Sequence, residues 1–186
     1  MKINLATIDL QIVKVKDWDK KKQKLLDLVD FDDPECIFDS YFSDFFMSQA
    51  TWNTGKHPYV REFFKILEWE PEKHFNYKTH CTGLWCQRYQ HRDSMGVHHH
   101  EQGISAVLYA QFDSNRNWGT TFISPFRTIW DNQVTELTPE VEEGDILLFP
   151  SQLLHYVKCP ASLYDARPTD PDRIIFSFNI NQEGMH

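Results

Sequence analysis

A chain of 186 residues with 41% apolar and 15% aromatic residues can bury a real core and is too apolar for wholesale disorder. A net charge of −8 and a pI near 5.5 argue against a general nucleic-acid binder, which needs a basic footprint. No apolar run approaches the roughly 18 residues of a membrane span, and Met1-Lys2-Ile3-Asn4-Leu5 has no signal-peptide pattern, so the chain reads as cytoplasmic. Its 4 cysteines do not make a disulfide framework at this length, and Cys81 and Cys86 would face opposite sides of a strand.

Residues 3–15 predict a strand in which Ile3, Leu5, Ile8, Leu10 and Ile12 alternate with polar residues. A helix follows over 18–29, with Asp17 or Asp19 as its cap and Leu25, Leu26 and Val29 as its apolar face. Residues 30–57 are acidic and aromatic (Phe38, Phe42, Trp52) and fit either a cover over the core or a substrate lid. A second helix runs over 58–69: Pro58 suits a first turn, Val60, Phe63, Phe64, Ile66 and Leu67 form its stripe, and Pro71 ends it.

From Tyr77 the texture changes. Strands are expected at 80–90, 95–100, 104–112, 119–124, 134–138, 144–149, 153–159 and 172–180, separated by turn signals such as Asp113-Ser114-Asn115 and Glu143-Gly144-Asp145. That pattern predicts a mainly β fold with flanking helices: a double-stranded β-helix, or jelly roll, after a helical N-terminal half. With no repeat or linker, residues 1–186 read as one domain, 1–76 as strand–helix support and 77–182 as the jelly-roll core.

The chemistry centres on Val97-His98-His99-His100-Glu101-Gln102-Gly103. In an extended strand, His98 and His100 share one face and His99 and Glu101 the other. Either pair can give a divalent metal two neighbouring ligands. A distant third is His155, which follows the buried-strand pattern Gly144-Asp145-Ile146-Leu147-Leu148-Phe149-Pro150. In the last strand, Ile174, Phe176, Phe178 and Ile180 share one face, with Arg173, Ser177 and Asn179 opposite. An arginine lining a barrel needs an anionic partner, and a dicarboxylate would supply one.

Taken together, His98-x-His100, Ser105-Ala106-Val107-Leu108-Tyr109, the stretch from Gly144 to Ser151 with His155, and Arg173 to Asn179 resemble the 2-oxoglutarate- and Fe(II)-dependent oxygenases. The small microbial and phage-type proteins related to the prolyl hydroxylases are the nearest branch, and the likeness covers residues 77–182. It implies Fe(II) and 2-oxoglutarate as cofactors, His155 as the distal metal ligand and Arg173 as the anchor of the far carboxylate. Tyr89 and Ser177 join Arg173 as cofactor-binding residues. Tyr89 precedes His98 by nine residues, a family spacing that selects His98 and His100 as the near ligands, with His100 where the family has an acid. The register His99 and Glu101 stays open. Arg167 is the alternative anchor, and Trp85 and Gln87 share the Tyr89 face.

The reaction implied is hydroxylation of a small molecule or peptide, coupled to conversion of 2-oxoglutarate to succinate. Two other readings remain: a cupin-type metal enzyme without 2-oxoglutarate, and a metal-free jelly-roll binding module. Gly144, Pro150 and His155 match the second cupin motif, but the glutamate and glycine of the first are missing.

Overall fold

Alternation of apolar and polar residues produces two antiparallel sheets with few helices. The computed structural model describes residues 8–29, 42–44, 58–101, 103–128, 131–160, 163 and 167–183. Their strands are β1 (Gln11–Lys14), β2 (Phe42–Asp44), β3 (Thr79–Tyr89), β4 (Met95–His98), β5 (Ile104–Gln111), β6 (Thr120–Arg127), β7 (Val134–Leu137), β8 (Asp145–Pro150), β9 (His155–Val157) and β10 (Arg173–Gln182). The helices are α1 (Trp18–Leu26), α2 (Pro58–Leu67) and α3 (Pro71–Phe75). A six-stranded sheet has the order β1-β8-β5-β10-β3-β2, and a four-stranded sheet the order β4-β9-β6-β7.

All eight strands expected after residue 77 are present, with shifted ends. Of the expected first strand, residues 11–14 are strand and 8–10 are not, and 3–7 lie outside the described residues. α2 ends at Leu67, where Glu68 turns left-handed (φ 53°), rather than at Pro71, which instead opens α3. β2 carried no alternation signal that could reveal it. Apart from β2, expectations for residues 30–57 lie outside the described residues. Asp17 occupies the cap position of α1, but its side chain pairs with Lys20 and makes no capping hydrogen bond.

The six-stranded sheet has two unlike faces. On the outer face Leu84, Cys86, Ala106, Leu108, Ile146, Leu148, Phe176 and Phe178 pack with Leu25 of α1 and Val60, Phe63 and Leu67 of α2. Phe178 lies 5.7 Å from Phe63, 5.4 Å from Phe64 and 5.9 Å from Trp69, centroid to centroid. Lys21 of α1 donates to the Leu67 carbonyl at 2.9 Å, tying the end of α2 to α1. Gly144 (φ 85°) lies so close to Trp18 that a Cβ would come within 2.7 Å of the indole.

The inner face looks across to the four-stranded sheet, and Tyr89, Val107, Tyr109, Leu147, Phe149 and Ile175 meet Phe122 and Val157 between them. Cys81 and Cys86 do not face opposite sides, although simple alternation predicts that they would. Both belong to the outer core, because the β10–β3 register slips between Asn179 and Ile180 and resets the alternation. Cys81 donates to the Gly83 carbonyl at 3.2 Å, and burial pushes its thiol up to about 12.

Candidate active site

β4 and β9 are neighbours, and their register places His98 opposite His155. On β6, Phe122 is the cross-strand partner of His155 on its other side. Beyond the end of β4, the His100 N–H donates to the Ser151 carbonyl at 2.8 Å and the Ser151 N–H to the Gly103 carbonyl at 3.0 Å. These bonds fold the chain after His98 back over the β8–β9 corner. Gly103 (φ 106°) makes this turn where a Cβ would collide with the Ile180 carbonyl and the Asn181 side chain. The result is that His98, His100 and His155 each offer a ligand nitrogen, all within 4.8 Å of one another.

The imidazoles are oriented. Nδ1 of His98 lies 2.8 Å from the Gly96 carbonyl and Nδ1 of His155 lies 2.8 Å from the Leu153 carbonyl. A carbonyl only accepts, so each Nδ1 carries a proton and Nε2 is the nitrogen that remains to face a metal. The His155 ring packs 4.8 Å from Phe149, and the His100 ring 5.4 Å from Trp85. Burial is the main cause that lowers both His100 and His155 to about 4, so both are neutral at physiological pH. His99 and Glu101 are exposed and stand outside the cluster; Nδ1 of His99 sits on the neighbouring His100 carbonyl at 2.8 Å.

Deeper in the same space lies Arg173. It is 0% exposed, and none of its three side-chain nitrogens has a hydrogen-bond partner among the described residues. Its guanidinium carbon sits 4.6 Å from the Tyr89 ring centroid and 5.6 Å from that of Tyr109. The Tyr109 hydroxyl in turn donates to Thr120 Oγ1 at 3.0 Å, closing this end between the sheets. Arg167 is exposed on a loop whose Asp170 pairs with Arg116.

Between the arginine and the histidines run polar residues of β3 and β10. Tyr89, Gln87 and Trp85 lie opposite Arg173, Ile175 and Ser177. The Ser177 hydroxyl donates to Gln87 Oε1 at 3.2 Å. Nearer the histidines, Ser105 donates to Asn179 Oδ1 at 2.8 Å and lies 2.9 Å from the Ser151 hydroxyl. Ser105 and Ser151 stand in the motifs that carry the resemblance, but the residues alone give neither a site role. A serine in an apolar strand gives only a weak signal, and the pairing of β5 with β8, which sets Ser105 opposite Phe149, is long-range.

A family model described as putative 2OG-Fe(II) oxygenase matches residues 83–179, more than half of the chain. No curated protein matches. Among solved structures, HygX from Streptomyces hygroscopicus with nickel and 2-oxoglutarate bound is 13% identical, with a TM-score of 0.60 over 96% of this chain and 84% of that one. The same protein with nickel, 2-oxoglutarate and hygromycin B bound gives 10% identity and a TM-score of 0.60, over 96% of this chain and 85% of that one. AviO1 from Streptomyces viridochromogenes Tue57 is 10% identical, with a TM-score of 0.57 over 92% of this chain and 90% of that one. At these identities the likeness is one of fold. The family match sets aside the cupin and the metal-free module. The chain belongs to the 2OG-Fe(II) oxygenases, enzymes that depend on iron and 2-oxoglutarate.

Proposed function

We propose that this enzyme hydroxylates a small molecule or peptide at the mouth of a double-stranded β-helix, with His98, His100 and His155 holding the iron and Arg173 the 5-carboxylate of 2-oxoglutarate. The strand orders β3-β10-β5-β8 and β4-β9-β6-β7 support the jelly-roll reading, with the N-terminal strand and helices as support for one domain. The observation that carries the proposal is the buried Arg173 guanidinium, without a hydrogen-bond partner among the described residues, in the same inter-sheet space as the convergent imidazoles. A buried charge of this kind needs a counter-charge, and a carboxylate pairs with guanidinium through two parallel hydrogen bonds.

The residues present fit both cofactors. Three convergent imidazole nitrogens would suit a divalent first-row metal. When bound, iron and 2-oxoglutarate supply the oxidising chemistry: with dioxygen the keto acid becomes succinate and carbon dioxide, and a substrate C–H becomes C–OH. The chain's part is to bind and orient. Tyr89 and Tyr109 flank the anchoring guanidinium, and Ser177 with Gln87 offers polar contacts along the keto acid. Phe149 and Trp85 hold the imidazole rings in place.

The chain's negative charge and the absence, among the described residues, of a helix long and apolar enough to cross a membrane support a cytoplasmic enzyme acting on neither nucleic acid nor membrane. Purified protein given Fe(II), ascorbate and 2-oxoglutarate should form succinate slowly even without a prime substrate. Failure to form succinate, together with no thermal shift by 2-oxoglutarate in the metal-loaded protein, would remove the cosubstrate assignment.

A further inference from the structure

A two-histidine, one-carboxylate metal site puts one negative charge on the ion. Here the proposed third ligand is His100, and among the described residues no aspartate or glutamate joins the cluster. Three neutral imidazoles therefore leave a divalent ion its full charge. The same space holds the Arg173 guanidinium, 0% exposed and lacking a hydrogen-bond partner among the described residues. The nearest carboxylates along the chain are engaged or turned away: Glu101 beside His100 is exposed, and beside Arg173, Asp172 faces Arg88 at 3.8 Å and Asp170 pairs with Arg116.

Metal and arginine together would thus place three positive charges between the sheets before any cosubstrate arrives. Uncompensated charges out of water are costly. 2-Oxoglutarate is a dianion, and its two carboxylates lie at opposite ends of a short chain. One would meet the metal and the other the arginine.

We propose that His100 makes metal and dicarboxylate mutually dependent ligands: the neutral triad leaves neutralisation of the ion to 2-oxoglutarate, so each tightens the other's binding more than a carboxylate at position 100 would allow. This rests on the reading of His98, His100 and His155 as the metal ligands. Chelation of a metal by a keto acid couples the two ligands in any such enzyme; the imidazole adds a contribution that a single substitution removes. Linkage makes the coupling reciprocal, so the factor by which 2-oxoglutarate tightens metal binding equals the factor by which metal tightens 2-oxoglutarate binding.

The test uses the full chain with Mn(II), which binds without turnover and whose free ion is read by electron paramagnetic resonance. The Mn(II) dissociation constant is measured with and without saturating 2-oxoglutarate in wild type, His100→Asp, His100→Glu and His100→Gln. In wild type the ratio should be on the order of a hundredfold, toward the upper end of ordinary coupling. His100→Asp should bind Mn(II) alone more tightly than wild type, with the ratio reduced about tenfold, or about 1.4 kcal/mol of coupling. His100→Glu carries the same charge and should act likewise if the aspartate variant does not fold. His100→Gln is neutral and should keep a ratio within about threefold of wild type, whatever its Mn(II) affinity, since typical couplings span far more than that. A carboxylate variant whose ratio stays within about threefold of wild type would overturn the inference. Failure of the underlying site reading would look different: Mn(II) affinity would survive His155→Ala unchanged, and the inference would fall with it.

Discussion

The two faces of β10 do different work with the same backbone. Outward, Ile174, Phe176, Phe178 and Ile180 are buried at 9%, 0%, 0% and 2% exposure against the helices or the sheet's own apolar neighbours. Inward, Arg173, Ser177 and Asn179 line the space between the sheets, and only Ile175 joins the inner apolar cluster. The outer face satisfies every rule of a packed core. The inner face buries a cation with no hydrogen-bond partner among the described residues, an arrangement that costs stability and makes sense as a preformed site for an anion. Stability and binding are thus separable along one strand by parity.

The largest effect should come from the outer face. Phe178→Ala removes a ring in contact with Phe63, Phe64 and Trp69 and should cost about 3–5 kcal/mol in denaturant unfolding. The folded fraction should still bind metal with wild-type stoichiometry, and loss of both together would break the separation. Next, His155→Ala should weaken metal binding by at least about a hundredfold, or about 2.7 kcal/mol, with unfolding of the metal-free protein little changed.

Arg173→Met sharpens the contrast, because the two faces predict opposite signs. Removing the guanidinium should weaken 2-oxoglutarate binding by about two orders of magnitude. It should also leave the cosubstrate-free protein as stable as wild type or more so, since a buried charge is replaced by a side chain of similar length. A destabilised Arg173→Met would mean that the arginine is a structural element.

A further effect concerns pH. His100 and His155 titrate near 4 in the folded, metal-free protein against an ordinary value of 6.5. Between these values the unfolded chain binds protons that the folded chain does not, so acid favours unfolding. Metal-free protein should therefore hold its full stability above about 6.5 and lose some of it as the pH falls toward about 4. Thermal melts across that window should flatten in the His100→Gln, His155→Gln double variant.

Much of this was legible in the residues, for identifiable reasons. The period-two alternation of β10 announces its two faces, and His98-x-His100 puts two imidazoles on one side of an extended chain. His155 stands out as an ionisable residue just after a run of apolar residues. What the residues did not carry was long-range. The serine contacts depend on β5 meeting β8 and on the turn at Gly103, and the shared face of Cys81 and Cys86 depends on a bulge in a partner register. Helix α3 and strand β2 are too short to hold a period. The spacing from Tyr89 favours His98–His100 over His99–Glu101 but leaves the second register open. The choice becomes a structural question once the chain turns back at Ser151 and leaves His99 and Glu101 exposed.

The measurement that bears most directly on the site is anaerobic titration of the Fe(II)-loaded protein with 2-oxoglutarate, followed by the visible charge-transfer band of the chelated keto acid. The account predicts a saturable band with one equivalent each of iron and 2-oxoglutarate per chain. It should be missing in His155→Ala and shifted to about hundredfold higher 2-oxoglutarate in Arg173→Ala. No band in the wild-type protein, or the same midpoint in wild type and both variants, would contradict it.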